Sequence, residues 1–499
     1  MLSLVIFFIL QATLARAASN VQTRKITVDA GVVTGQFKNL QGTNNCDVPN
    51  ANDDLDNIHD ATPAVQQHWR DSAVKHVMIY TFPDVFLGGD PYDSANYNFT
   101  ASDMRVRYVV EGGAVASAQF QEGGDITDLT PAELEGIGPR NGANNSGFSN
   151  AVELWDFYPE GDKEYYTTES TSYKENLAAY SAFARGVAKA NNPNVGCGAW
   201  GFKRMWTPTA SYTLPDPWKT EFFADIVAAG VPIKAATMHW DSTLFSWNSY
   251  ELVPGVKQFR ELYLAPNGLG DLPIWITEHN RNPLGTLPTT KAALEAYWDP
   301  ASFAAWVISV AMYGQDADVE QVMSWTGLGY GGYGYGDAYF QAWYTNTSNG
   351  DVATNAGAAW VLSGQFVTET ANRLALTGSS PDGFTALAGI SDEEDQVQIM
   401  LNNYQVDYDI LRQNTVQLIT ELDVNVSASP ITQENGLFNG EQACFTFDDN
   451  AVLGCTTFMQ PIIRDNHATA YALEVKNLPW SSSTKYTAEI IMVDIVYLK

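Results

Sequence analysis

The sequence of 499 residues is poor in basic residues, cysteine and histidine, and each shortage excludes a class of function. Lys and Arg number 27 against 57 Asp and Glu, which gives a formal net charge of −30. A surface of that sign repels phosphate backbones and anionic membranes, so we expect neither nucleic acid nor membrane as a partner. The four cysteines form no Cys-x-x-Cys pair and the six histidines no His-Glu-x-x-His motif. We therefore expect no metal and no cofactor.

Long apolar runs are absent beyond the N-terminus, and the run at the N-terminus has the features of a signal peptide. Leu2–Leu14 is apolar apart from three residues and is followed by Ala15-Arg16-Ala17, a small-x-small cleavage pattern. The run is too short to span about 30 Å of hydrocarbon. Residues 1–17 are therefore predicted to be a secretory signal peptide, and the mature protein is predicted to be secreted and extracellular.

Export also changes how the four cysteines are interpreted, because disulfides persist in oxidising compartments. Cys444 and Cys455 flank a short turn-like segment, which favours a disulfide between them. Cys46 and Cys197 either pair or stay free, and the sequence leaves both alternatives open. Four Asn-x-Ser/Thr sequons fit a eukaryotic secretory route: Asn98, Asn144, Asn346 and Asn425.

The first two thirds of the chain alternate between strand-like and helix-like segments. Eight short segments, most of them apolar runs, are the strand candidates: Leu40–Asn44, His76–Phe82, Val115–Gln121, Val152–Phe157, Val195–Trp200, Lys234–Trp240, Pro273–His279 and Val322–Trp325. The clearest helix is predicted to begin at Ser172, with Glu175 completing a capping box, and to end before Asn191-Asn192-Pro193. This pattern predicts an α/β fold, a (β/α)8 TIM barrel, with a doubly wound open sheet as the alternative.

After about residue 365 the pattern becomes β-rich, with turn residues between strands and no convincing helix. We predict a β-sandwich over 365–499, appended to a barrel over 38–364. Residues 18–37 contain a further strand-like segment that precedes the barrel, and this segment is a candidate to join the sandwich.

Reactive groups of such a barrel belong at the C-terminal ends of its strands. The fourth candidate strand ends in Trp155-Asp156, the sixth contains His239, the seventh ends in Glu278-His279-Asn280 and the eighth in Trp325. Several acids and indoles would thus meet without a cationic clamp. Such a site suits a carbohydrate, because carboxylates perform glycosidic chemistry and aromatic faces stack on sugar rings.

Four segments resemble clan A glycoside hydrolases, closest to family 39. Ile274–Asn280 looks like the strand that carries the family's nucleophile, and Tyr97–Thr100 resembles a Tyr-Asp-Phe segment before the second barrel helix. Trp155 with Pro159 and Tyr165-Tyr166 resembles the acid/base region, and Ala388-Gly389 the start of the family's sandwich. The resemblance implies a retaining glycosidase acting on a β-xyloside or related pyranoside, with Glu278 as nucleophile.

The sequence departs from the family at the acid/base motif. The family's fourth strand carries Trp-Asn-Glu-Pro, whereas this chain has Trp155-Asp156-Phe157-Tyr158-Pro159, with one more residue and no Glu. Glu160 is the nearest substitute and Asp156 the second. We therefore assign catalysis to Glu278 and Glu160. The residues predicted to shape the sugar pocket are Trp155, Asp156, His239, Asn280 and Trp325.

Two alternatives complete the hypotheses. The missing motif leaves open a catalytically degenerate barrel that only binds glycan or cell wall. The run Gly327–Gly332 matches Gly-x-Gly-x-x-Gly, but it continues as a Gly/Tyr-rich loop rather than a helix, so we interpret it as a wall beside the site instead of a dinucleotide motif. The expected partner is an oligo- or polysaccharide; the sequence does not give the linkage, exo or endo action, or the oligomeric state.

Overall fold

A computed structural model gives the fold of the chain. The residues that it describes are 21–45, 63–81, 86–120, 129–143, 152–157, 171–190, 192–202, 217–241, 249–280, 300–325, 344–347, 350–353, 355–379, 384–394, 396–403, 418–427, 438–446, 457–464, 467–475 and 489–497. The predicted signal peptide, Cys46, Cys455, Asn144 and the Gly327–Gly332 run lie outside them.

A parallel eight-stranded sheet forms the centre of the first part of the chain. After the long strand β1 (Val21–Gln36), its strands follow in chain order: β2 (Gln41–Asn45), β3 (His76–Thr81), β4 (Val115–Phe120), β5 (Val152–Phe157), β6 (Gly196–Cys197), β7 (Ala236–Asp241), β8 (Ile274–Asn280) and β9 (Gln321–Trp325). Neighbours in the chain are neighbours in the sheet, and β2 pairs with β9.

The sheet closes between β6 and β7. Parallel bridges join Gly198 to Ala235 and Phe202 to Met238, and the His239 amide donates to the Phe202 carbonyl at 2.6 Å. A side chain at position 198 would not fit, because its Cβ would lie 2.6 Å from the Thr237 methyl group. Closure confirms the (β/α)8 barrel and excludes the open doubly wound sheet.

Helices cover the outside of the barrel, as expected for strands that are apolar on both faces. The described α-helices are α1 (Pro63–Asp71), α2 (Thr100–Glu111), α3 (Pro131–Ala143), α4 (Thr171–Lys189), α5 (Pro217–Ala228), α6 (Leu252–Phe259), α7 (Pro300–Gly314) and α8 (Asn355–Glu369). α4 begins at Thr171, so Ser172 lies inside the helix and is not its cap. A capping box is present instead at α3, where Thr130 and Glu133 exchange hydrogen bonds.

A second, mostly antiparallel sheet of nine strands carries the C-terminal part and includes β1. After the hairpin β10 (Tyr344–Thr347) and β11 (Gly350–Ala353), its further strands are β12 (Asn372–Thr377), β13 (Phe384–Ile390), β14 (Gln396–Asn403), β15 (Leu418–Ser427), β16 (Phe438–Thr446), β17 (Thr457–Arg464), β18 (His467–Val475) and β19 (Glu489–Tyr497). Their order is β16-β19-β14-β13-β12-β1-β15-β18-β17. This sheet fits the predicted appended β-sandwich. Residue 365, where we placed its start, lies inside α8.

Apolar side chains join this sheet to the barrel helices. Ile308 and Met312 on α7 and Phe366 on α8 belong to one buried cluster with Leu387 on β13 and Met400 on β14. The cluster excludes water from the junction between the sheet and two barrel helices, which holds the two parts together.

The lower end of the barrel lumen, at the N-terminal ends of the strands, is closed by a hydrogen-bonded group. His76 Nδ1 lies 2.8 Å from Gln321 Oε1, and its Nε2 lies 2.9 Å from Glu153 Oε2. The Gln321 amide nitrogen donates to the Leu40 carbonyl, so its oxygen faces His76 as an acceptor. Lys234 Nζ lies 3.3 Å from Glu153 Oε1 and places a cation beside the same carboxylate.

An apolar layer above this group fills the lumen. Met78, Leu154, Trp275 and Met323 come from four strands, Ala235 directly precedes β7, and the five residues form one buried cluster. Such a layer separates the charged lower end from the upper end of the barrel, where the predicted site residues lie.

Candidate active site

The direction in which the Glu278 side chain points depends on an extra residue in strand β8. Met238 on β7 pairs with Ile276, but the next residue, His239, pairs with Glu278, so Thr277 has no partner in the register. The register between β8 and β9 shifts at the same place, between Ile276 and His279. This is a β-bulge, a feature that is rare between parallel strands and that redirects side chains.

The bulge reverses the alternation of β8 beyond Thr277. Trp275 and Thr277 face the lumen, and strict alternation would turn Glu278 outward. Instead Glu278 faces His239, with 3.4 Å between Oε2 and Nδ1, while His279 packs outward on the ring of Trp306 in α7 at 5.1 Å between ring centroids. Glu278 keeps 8 % of its surface exposed, so its carboxylate is reachable from the mouth.

Asp156 lies fully buried in the lumen beside the bulge. The Thr237 hydroxyl donates to its Oδ1 at 2.7 Å. The Thr277 hydroxyl lies 3.4 Å from Asp156 Oδ2 and 3.4 Å from the Met238 carbonyl, and it shares its proton between these two acceptors. Thr237 in turn accepts from the Gly201 amide at 3.1 Å, which fixes the direction of its own proton. The two carboxyl oxygens thus connect the strands that carry His239 and Glu278.

Burial dominates the electrostatics of Asp156. Desolvation raises the pKa of its carboxyl group to about 6, against the hydrogen bonds from Thr237, Thr277 and the Gly201 amide and the charge of His239, which lower it. With no exposed surface, Asp156 has no route to a sugar. We therefore no longer assign Asp156 to the sugar pocket, and its burial also argues against the acid/base role.

Trp155 faces away from the lumen. Adjacent residues of a strand point to opposite faces, so Asp156 and Trp155 cannot both face the mouth. The Trp155 ring packs edge-on against Phe183 of α4, with 6.2 Å between centroids, and only 5 % of the residue is exposed. We therefore revise its role from sugar contact to packing between barrel and helix.

Three other predicted residues are described only in part or not at all. Glu160 lies outside the described residues. The side chains of Asn280 and Trp325 are not described either, but both residues end their strands at the barrel mouth, where Asn280 pairs with Asp241 and Trp325 with Asn44. Of the predicted set, the structure brings Glu278 and His239 into contact and places Asp156 beneath them.

Sequence reasoning missed three polar residues of this group: Asn44, Thr237 and Thr277. All three are completely buried. Asn44 Nδ2 donates to the Thr277 carbonyl at 2.9 Å, so the backbone at the bulge has a buried side-chain partner. A signal was available, because a polar residue within a strand buried on both faces needs an internal partner.

Neither a metal cluster nor a membrane helix is found in the described parts of the chain. No group of three or more His, Cys, Asp or Glu there could hold a metal ion. Among the same residues, none of the helices combines the length and the apolar character that crossing a bilayer requires.

Comparison with known proteins gives similarity in structure only. No protein-family model matches the sequence, and no curated protein matches it. A glucosidase from Croceicoccus marinus is similar with a TM-score of 0.67 and 18 % identity, over 96 % of this chain and 100 % of that one.

Two further solved structures extend the comparison. An α-L-arabinofuranosidase from Thermotoga maritima has a TM-score of 0.56 and 14 % identity, over 95 % of this chain and all of that one. A monomeric β-xylosidase from Caulobacter crescentus has a TM-score of 0.56 and 12 % identity, over 96 % of this chain and all of that one. The chain therefore shares the whole fold, barrel and second sheet, of proteins that are glycosidases by name.

Proposed function

We propose that the protein is a secreted retaining glycoside hydrolase in which Glu278 is the nucleophile. The main observation behind the proposal is the direction of the Glu278 side chain. It lies at the C-terminal end of the seventh barrel strand, a bulge turns it into the lumen, and it stays reachable beside His239. Carboxylates at this end of a (β/α)8 barrel are placed for catalysis, and the similar structures named above are glycosidases.

The proposed reaction has two displacements. The Glu278 carboxylate attacks the anomeric carbon, the bond to the leaving oxygen breaks, and a second carboxyl group donates its proton to that oxygen. The same group then takes a proton from water, which attacks the glycosyl ester and frees Glu278. We assign this second role to Glu160, the nearest acid after the fourth strand, because Asp156 is fully buried and bound to two hydroxyl groups.

The substrate class follows from the resemblance and from the similar structures. We propose a β-xyloside or a related pyranoside, and a panel of aryl glucosides, xylosides and arabinosides is the first test. Plant, fungal and algal polysaccharides extend the panel to linkage and to exo or endo action.

Glu278→Gln tests the nucleophile. We expect at least about a 10⁴-fold loss of kcat, because the amide cannot form the glycosyl ester. A 2-deoxy-2-fluoro glycoside, read by intact mass, is expected to label the wild type but not the variant. Turnover at the wild-type rate, or equal labelling of both proteins, would show that Glu278 is not the nucleophile.

Glu160→Ala tests the acid/base separately. If Glu160 has that role, azide restores turnover of a substrate with a good leaving group, because azide attacks the glycosyl ester without base assistance. A variant that behaves like the wild type removes Glu160 from the mechanism and leaves the Glu278 assignment intact.

A glycan-binding barrel without catalysis is the second candidate. It is motivated by the described end of β5, where Trp155 and Phe157 pack outward and Asp156 is buried, so no exposed acid is present there. In that case calorimetry would detect glycan binding by the wild type, while the fluoro-glycoside would leave it unlabelled.

A further inference from the structure

The bulge at Thr277 needs support because it interrupts regular pairing on both sides of β8. Neither β7 nor β9 has a residue in register with Thr277. An unpaired backbone carbonyl in the lumen is costly, and a flexible bulge would leave the next side chain without a fixed direction. Since the next residue is Glu278, whatever holds Thr277 also fixes the carboxylate.

Two side chains hold Thr277 from two strands of the barrel. Asn44 on β2 donates to the Thr277 carbonyl at 2.9 Å, and Asp156 on β5 accepts from the Thr277 hydroxyl at 3.4 Å. Neither residue belongs to β8 or to its neighbours β7 and β9, so the support reaches across the lumen. Both are completely buried, so neither contacts a ligand in the mouth.

Asp156 also holds the strand that carries His239. Its second oxygen accepts from Thr237, two residues before His239 on the same face of β7, at 2.7 Å. A single buried carboxyl group is thus bonded to the residue before Glu278 and to the residue one lumen position below His239. Both members of the Glu278–His239 contact depend on it.

We propose that Asp156 is a positioning residue that, together with Asn44, clamps the Thr277 bulge and so aims the Glu278 carboxylate into the mouth. This inference takes Glu278 as the nucleophile of the proposed hydrolase. It assigns to position 156 neither proton transfer nor sugar binding.

Because Asp156 titrates, its support of the Thr277 bulge is expected to change with pH, and kcat is expected to change with it. The titratable groups around it are His239, Cys197 and Tyr180, and burial keeps the pKa of Cys197 and of Tyr180 well above their usual values, so both stay neutral. Ionised Asp156 accepts from both threonines, whereas the side-chain amide of the Asp156→Asn variant accepts through one oxygen only. Protonated Asp156 resembles that amide.

Asp156→Asn and Thr277→Val are the test variants, and Ser117→Ala is the matched control. Ser117 lies in the lumen on β4, and its buried hydroxyl has no hydrogen-bond partner among the described residues. We expect both test variants to lose about 10²-fold in kcat with KM changed less than about threefold, because the nucleophile is misplaced rather than removed. Ser117→Ala is expected to keep kcat and KM.

The pH profile separates positioning from packing. The ratio of wild-type to Asp156→Asn kcat is expected to fall towards one as the pH drops through about 6, where the wild-type carboxyl group is protonated. For Thr277→Val, crystal structures are expected to show the Glu278 carboxylate displaced by more than about 1 Å from His239. A ratio that is constant with pH, or a Glu278 carboxylate that stays in place in both variants, overturns the clamp.

These outcomes are independent of the proposed function. If the wild type neither turns over nor is labelled by a fluoro-glycoside, the hydrolase proposal fails, and the crystal structures still decide whether Asp156 and Thr277 position Glu278. If the wild type is active and Asp156→Asn matches it at every pH, only the clamp is wrong.

Discussion

Both ends of the barrel lumen contain a β-bulge that turns a glutamate inward, but the two glutamates lie in different surroundings. At the lower end, Ala116 pairs with Val152 and Ser117 with Leu154, so Glu153 is the extra residue of a bulge. At the mouth, Thr277 is the extra residue and Glu278 follows it. Each bulge turns a glutamate towards a histidine, with 2.9 Å between Glu153 and His76 and 3.4 Å between Glu278 and His239.

The surroundings of the two glutamates differ in charge. Glu153 lies beside His76 and Lys234, and the hydrogen bond from His76 is the main cause that lowers the pKa of Glu153 to about 2, despite partial burial. Beneath Glu278, Asp156 accepts from the bulge residue Thr277, and burial raises the pKa of Asp156 to about 6. The lower end is therefore built for an ionised carboxylate, whereas the mouth holds an acid at a cost in stability, as is common at reactive sites.

Breaking the lower end is expected to have the largest effect on stability. His76→Ala removes the ring that packs on Trp275 at 4.6 Å between ring centroids and takes one polar partner from each of Glu153 and Gln321. We expect a loss of about 4 kcal/mol in the free energy of unfolding at pH 7, because the cost of a cavity adds to the cost of the lost hydrogen bonds to Gln321 and Glu153. Urea unfolding followed by tryptophan fluorescence measures the loss.

A matched exposed pair controls the His76→Ala experiment. Lys257 and Glu261 lie one helical turn apart at 3.9 Å, with side chains 75 % and 64 % exposed. Lys257→Ala is expected to change stability by less than about 0.5 kcal/mol. A similarly small change for His76→Ala would mean that the hydrogen-bonded group around His76 does not stabilise the fold as we expect.

The pH dependence of Asp156→Asn should sharpen the contrast. The pKa of Asp156 rises from 3.8 to about 6 on folding, so the group favours folding below pH 3.8 and loses that contribution as the pH rises through 6. The asparagine variant lacks this loss. Relative to wild type, it is expected to gain about 2 kcal/mol between pH 4 and pH 7.5, because a shift of about two units at about 1.36 kcal/mol each is already partly expressed at pH 4.

Urea midpoints at several pH values measure this gain, and Ser117→Ala supplies a lumen variant without a titrating group. If the difference in unfolding free energy between Asp156→Asn and wild type is constant between pH 4 and pH 7.5, ionised Asp156 does not destabilise the fold as we expect.

The smallest effect on stability is expected from Glu153→Gln. Its pH dependence is opposite in sign to that of Asp156→Asn. The lowered pKa of Glu153 contributes stability that is present above pH 4.5 and is lost as the pH falls towards 2. Since its side chain is 35 % exposed, solvent screening reduces the contribution to about 1 kcal/mol. Wild type and variant are expected to differ at pH 6 and to converge near pH 2.

Glu261→Gln provides the exposed control in the same urea series. A difference between Glu153→Gln and wild type that persists unchanged at pH 2 would show that the side chain acts through packing rather than charge.

Most strands of the barrel could be predicted because they are short apolar runs, and burial on both faces follows from that composition. The position of Glu278 could be predicted too, because it follows such a run directly. The error at Trp155 has a simple cause. Trp155 and Asp156 are adjacent and were both placed in the mouth, although alternation allows only one of them to face it. When a strand is apolar on both faces, its sequence does not show which residues face the lumen and which face the helices.

The capping box and Asn44 illustrate a second limit. Ser172 with Glu175 and Thr130 with Glu133 have the same spacing in the sequence, yet only Thr130 caps a helix in the described structure. Asn44 lies in a mostly polar strand, and its partner, the Thr277 carbonyl, is 233 residues away in the chain. Local patterns cannot identify such a partner.

The sequence by itself determined the alternation of strands and helices, the excess of negative charge and a carboxylate at the end of the seventh strand, because apolar periodicity and composition are properties of short segments. Only the tertiary structure decided that this carboxylate faces the lumen. Its direction depends on one extra residue in the register of three parallel strands, and a shift of one residue sends a side chain to the other face. The same register brings Asn44, Asp156 and Thr277 together, and no local segment contains that information.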